Sequence, residues 1–138
     1  MEEITDVYKV LFRKALRVSE NSYSPYSGFA VGAAILTEHG KIFTGVNVEN
    51  ASYGAGVCAE RAACVKAVSE GERDYKAIAV ASPNGKASPC GICRQFLYEF
   101  SPDMDVITGE DQDHLECVKL RSLLPDGFRL NIKGTAEE

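Results

Sequence analysis

No run of about 18 apolar residues occurs in the 138-residue sequence, so nothing in it reads as a helical membrane span. Basic residues do not cluster: the densest group is Arg13, Lys14 and Arg17. With a net charge of −5 and a pI of about 5.1, the chain offers no electrostatic footprint for nucleic acid. Low-complexity tracts, internal repeats and linkers are missing too. The start, MEEITDVYKV, is acidic and amphipathic, where a secretory signal is basic and then apolar. These absences predict one domain over residues 1–138, of ordinary globular composition, in the cytoplasm, where thiols stay reduced. Even pairing is also lacking: five cysteines sit badly with a closed disulfide framework.

Hydrophobic spacing supplies the elements. Ile4, Val7, Leu11, Ala15 and Val18 recur every three or four residues and predict an amphipathic helix over 3–19. FAVGAAILT and KIFTGVNVE flank EHGK and predict two strands joined by a tight turn. CAERAACVKAVSEG predicts a helix that stops at Gly71 with a left-handed cap. KAIAVAS is almost wholly apolar, as a strand covered on both faces is. Ser88 suits an N-cap and Pro89 a first helical position, so CGICRQFLYEF predicts a third helix. MDVITG and HLECV predict two more strands, and LRSLL a helical turn ended by Pro125. The order predicts one mixed sheet with helices on both faces.

Cys58, Cys90 and Cys93 open two of these helices. A helix N-terminus favours thiolate, and the three-residue spacing of Cys90 and Cys93 puts both on one face. Three thiolates could hold one tetrahedral Zn²⁺ and leave a fourth position for water, the catalytic pattern; a structural site would close all four. His39 and His114 lie outside these contexts. A CxxC redox pair and plain buried thiols are the simpler readings, and the second suits Cys64 and Cys117. Glu60, in the same first turn as Cys58, stands where a general base could reach that water. A first-turn glutamate alone would be only a favourable dipole partner, worth about 0.3–1 kcal/mol. Arg61 beside Cys58 would offset the net negative charge of zinc with three thiolates.

Cys-Ala-Glu followed by Pro-Cys-x-x-Cys resembles the signature of the zinc deaminases. With Cys58 as first ligand in place of histidine, the chain resembles the small homotetrameric cytidine deaminases. SPYSGFAVGAA, GVNVENASYGAGVCAERAA, SPCGICRQ and LLPDGF are similar to that family's segments, in the family's order, over nearly the whole chain. The resemblance implies a three-layer α-β-α sandwich with a mixed five-stranded sheet. It implies one Zn²⁺ per chain and hydrolysis of cytidine and 2′-deoxycytidine in pyrimidine salvage. It places Asn47 and Glu49 on the ribose hydroxyls, Phe29 against the pyrimidine ring and the Ala59 N–H on the base carbonyl. Phe128 is expected to reach the site of a neighbouring subunit. Tyr53 belongs to a loop reaching toward an adjacent subunit's site, and Tyr26 to the lining. Free nucleoside is expected over nucleotide, because a phosphate near Glu49 would meet like charge. Three other readings stand beside this one: a zinc deaminase of another aminopyrimidine nucleoside such as a nucleoside antibiotic, a structural zinc module, and a thiol redox protein.

Overall fold

The computed structural model describes residues 3–130. Helix α1, Asp6–Val18, starts on Thr5, whose hydroxyl accepts from the Tyr8 N–H, and buries Tyr8, Leu11, Phe12 and Ala15. Strands β1 (Gly32–Thr37) and β2 (Ile42–Val46) form an antiparallel hairpin, and helix α2 covers Ala59–Ser69. Next come β3 (Tyr75–Ala81), α3 (Gly91–Tyr98), β4 (Asp105–Gly109), β5 (Leu115–Lys119) and the short α4 (Leu120–Leu123). The sheet order is β2-β1-β3-β4-β5, and the β3–β4 pair is its one parallel neighbour pair. Parallel neighbours need a crossover, which α3 supplies.

Alternate residues of the central strands feed two cores. Ala34, Leu36, Ala77 and Ala79 pack under α1. Ala33, Ile35, Ile78 and Val80 pack under α2 and α3 with Ala63, Ala67 and Leu97. Every residue of β1 is buried, as expected for a strand covered on both faces. Two glycines set the spacing of these layers. A Cβ on Gly32 would stand 1.9 Å from the Ala15 carbonyl oxygen of α1, and one on Gly45 2.4 Å from the Ala63 nitrogen of α2. The result is the three-layer sandwich with a mixed five-stranded sheet that the resemblance implied.

Helix α1 begins at Asp6 where residue 3 was expected, and three further boundary differences bear on the site. The strand expected from Phe29 begins at Gly32, and the one expected to run to Glu49 ends at Val46. Over Phe29–Val31 side chains take most of the backbone bonding: the Phe29 carbonyl accepts from Asn47 Nδ2, the Ala30 N–H donates to Asn84 Oδ1, and the Val31 N–H donates to Asn47 Oδ1, while the Val31 carbonyl still accepts from the Asn47 N–H. Third, Ser88 does not cap α3, and Pro89 lies before the helix instead of opening it. The chain stays extended through Cys90 (φ −72°, ψ 171°), and Cys90 is the N-cap.

Candidate active site

Strands β2 and β3 both run antiparallel to β1, so they point the same way. Each feeds a helix on one face of the sheet, and the N-termini of α2 and α3 therefore meet beyond the carboxyl ends of β2 and β3. In open α/β sheets this is where ligands bind. Cys58 is the N-cap of α2 and Cys90 that of α3, neither with a side-chain capping bond, while Cys93 lies in the first turn of α3. Both caps thus spend their side chains elsewhere.

The Sγ atoms of Cys58, Cys90 and Cys93 lie within 4.8 Å of one another, the one such metal-sized group of His, Cys, Asp and Glu among the described residues. Cys58 Sγ and Cys90 Sγ are 3.8 Å apart. Two thiolates on one tetrahedral zinc, with Zn–S of about 2.3 Å, should stand about 3.8 Å apart, so the donor set fits the ion. Charge is arranged to match. The Cys58 thiol is pulled down to about 5, chiefly by its hydrogen bond with Cys93 and further by Arg61. Arg61 Nη2 donates to Cys58 Sγ at 3.7 Å. Cys93 is pushed the other way as the partner in that shared proton and by burial. Metal binding would release these protons.

Glu60 is buried, 3% exposed, beside the thiols. Desolvation, with the negative charge of Cys58 adding to it, pushes its carboxyl up to about 7. It lines a cleft of about 230 Å³ with Phe29, Asn47, Cys58, Ala59 and Cys90. Ala59 is the first residue of α2, so its N–H has no partner within the helix.

Of the other residues that sequence reasoning grouped with these, three line a second cleft and one lines neither. Glu49, Tyr26 and Tyr53 line an adjoining cleft, also of about 230 Å³. Glu49 accepts from the Tyr26 and Ser27 N–H groups and from the Ser27 hydroxyl, and these bonds, the hydroxyl's above all, hold its carboxyl below the usual range. Ser27 Oγ in turn accepts from the Phe29 N–H, which links the two clefts. Phe128 lines neither cleft; its backbone is tied to Gln95 of α3, and its residue is 63% exposed. Cys64 and Cys117 are buried away from the thiol group.

Two supporting residues, Arg94 and Lys86, were missed in the sequence reading. Arg94 donates from Nε to the Pro89 carbonyl and from Nη1 to the Leu123 carbonyl, bracing the approach to Cys90. Lys86 also lines the Glu60 cleft and is paired with Glu116 of β5 at 2.5 Å. The signal for Arg94 was its place one residue after Cys93; Lys86 looked like an ordinary turn residue.

The family model described as the cytidine and deoxycytidylate deaminase zinc-binding region matches residues 5–110. A cytidine deaminase of Halalkalibacterium halodurans is 44% identical over 122 residues, 87% of this chain and 92% of that protein. A probable cytidine deaminase of Dictyostelium discoideum is 53% identical over 121 residues, covering 83% of this chain and 82% of its own length. Among solved structures, cytidine deaminase from Burkholderia pseudomallei superposes with a TM-score of 0.82 at 42% identity, over 91% of this chain and 100% of that one.

Proposed function

The chain belongs to the cytidine and deoxycytidylate deaminase family, and we propose that it hydrolyses cytidine and 2′-deoxycytidine to uridine and 2′-deoxyuridine, releasing ammonia. One observation carries the reading: a buried carboxylate, Glu60, shares a cleft with three converging cysteine sulfurs. Zinc held by Cys58, Cys90 and Cys93 supplies the Lewis acidity that makes a water molecule a usable nucleophile near neutral pH. Glu60 takes a proton from that water and delivers it to ring N3, which makes C4 electrophilic. The water oxygen bonds to C4. Glu60 then carries the remaining hydroxyl proton to the exocyclic amine, the C4–N bond breaks, and ammonia leaves with the carboxylate restored. Glu60, buried in the cleft beside the sulfurs, is placed for both halves of that transfer.

The other site residues belong to the same proposal. Phe29 packs against the pyrimidine, Asn47 and Glu49 take the ribose hydroxyls, and the free Ala59 N–H meets the base carbonyl. Tyr26 lines the site, and the exposed Tyr53 reaches toward the site of an adjacent subunit. Arg61 keeps the thiolate cluster from overcharging the site. Phe128, turned outward, completes the site of a neighbouring subunit in a homotetramer. The setting is pyrimidine salvage in the cytoplasm, with residues 1–138 as one deaminase domain; among the described residues no helix is long and apolar enough to cross a membrane.

The test is ammonia release from cytidine by purified, zinc-quantified protein, with Glu60→Ala assayed beside it. Turnover in the first and its loss in a variant that keeps one zinc per chain is the expected result. A zinc-replete protein inert on cytidine would overturn the substrate assignment.

A further inference from the structure

The peptide that joins Phe29 to Ala30 is held from both sides. Its carbonyl accepts from Asn47 Nδ2 at 2.9 Å, and its N–H donates to Asn84 Oδ1 at 3.0 Å. The two amides come from different parts of the chain: Asn47 follows β2, and Asn84 belongs to the loop between β3 and α3. Neighbouring bonds extend the grip, since the Phe29 N–H donates to Ser27 Oγ and the Val31 N–H to Asn47 Oδ1. With a regular strand starting only at Gly32, side chains carry much of the backbone bonding that fixes Phe29.

Asn84 is itself anchored. Its N–H donates to the hydroxyl of Ser82, which is 3% exposed, and Ser82 bridges to Gly85, whose φ of +136° is one that L side chains rarely adopt. Two residues on, the Lys86–Glu116 pair ties the same loop to β5. The loop then runs through Ala87 and Ser88, which line the Glu60 cleft, into Cys90. Asn84 therefore links the aromatic wall of the cleft to the segment that delivers a zinc ligand.

We infer that Asn84 is a positioning residue: together with Asn47 it clamps the Phe29–Ala30 peptide and so sets the ring of Phe29 at the distance from the catalytic carboxylate that a pyrimidine requires. It touches neither substrate nor metal and acts through Phe29. The inference rests on Phe29 being the surface against which the base packs. Losing the clamp frees one peptide plane and lets the ring wander, which weakens base binding and leaves Glu60 and the thiolates in place.

Steady-state kinetics, calorimetry, metal analysis and amide exchange on the zinc-loaded protein test it. Asn84→Ala should raise KM for cytidine, and Kd for uridine by calorimetry, about 3- to 10-fold, the range one neutral hydrogen bond commands. Its kcat and zinc content should stay within about twofold of the parent, since nothing at the reacting atoms changes. Asn84→Asp, which keeps an oxygen facing the Ala30 N–H, should restore both constants. In a Phe29→Ala background the Asn84→Ala change should add nothing, because the ring it acts through is gone. Unchanged KM and Kd in Asn84→Ala would overturn the clamp, as would full additivity with Phe29→Ala. Equal damage from Ala and Asp, with zinc lost, would reduce Asn84 to a loop-folding residue and also overturn it. The uridine Kd and the Ala30 amide exchange rate, expected to rise in Asn84→Ala, read the clamp without catalysis. Failure of the deaminase reading would show separately, as nucleoside binding without ammonia release.

Discussion

Glu60 is a carboxylate kept almost dry next to sulfurs that carry negative charge, an arrangement that a stability argument alone would reject. Its value is chemical, and the cost should be visible. Glu60→Gln should keep zinc and a Tm at or above that of the parent, because it removes a poorly solvated charge. Its turnover should fall at least about a hundredfold, the low end of what a general acid–base residue contributes. Thermal melts, metal analysis and an ammonia assay on one preparation would check all three. Cys90→Ser should instead lose metal and melt earlier, because metal affinity and folding are one equilibrium here. Glu60 and the three cysteines were legible in the sequence because each is read within a few residues of a helix start. Asn84 was not: its partner amide is 54 residues away, and nothing in PNGK marks a loop asparagine as the acceptor for a distant N–H.

At the level of elements, the site depends on how closely α2 lies on β2. Gly45→Ala would press a methyl into the backbone of α2 near Ala59 and Ala63. That overpacking should cost about 1–3 kcal/mol and weaken zinc binding, since Cys58 rides on the displaced helix end. Denaturant melts with and without chelator would separate the two effects. A second contact joins the β1–β2 turn to the end of α2: His39 Nδ1 lies 2.9 Å from Glu72 Oε1, and Lys41 Nζ 3.6 Å from Glu72 Oε2. The His39 contact above all holds the Glu72 carboxyl below its usual value. A carboxylate held low adds stability above its unfolded pKa of about 4.3, and loses it as pH falls through the lower folded value. Glu72→Gln should therefore melt earlier than the parent at pH 7, with the gap closing below about pH 4. Helix and strand identities were readable from apolar spacing. Their ends were not, because Phe29–Val31 and Cys90 take extended conformations fixed by distant side chains and by the needs of the metal.

For the whole molecule, the sheet order brings two helix starts together beyond the carboxyl ends of β2 and β3, whereas the alternation of strands and helices along the chain gave only one mixed sheet with helices on both faces. What the sequence left open was pairing: nothing in FAVGAAILT or KAIAVAS says that β1 sits between β2 and β3, and only that arrangement makes β2 and β3 parallel. Apolar side chains left outside, among them Tyr53 at 85% exposure and Phe128 at 63%, fit the proposed tetramer. Native mass spectrometry should show four chains and four zinc ions. Phe128→Ala should raise KM while leaving zinc content intact, and an active monomer would overturn the shared-site proposal.

Cys58 and Cys90 are 32 residues apart in the chain and 3.8 Å apart at sulfur. An ion between them is therefore a removable cross-link. Closing a loop of that length can be worth up to about 3–4 kcal/mol in chain entropy by the accounting used for covalent bridges. Unlike a disulfide, this staple survives a reducing compartment and comes out when free zinc runs low. The protein's lifetime, and not only its activity, should then follow the metal supply of the cell that makes it.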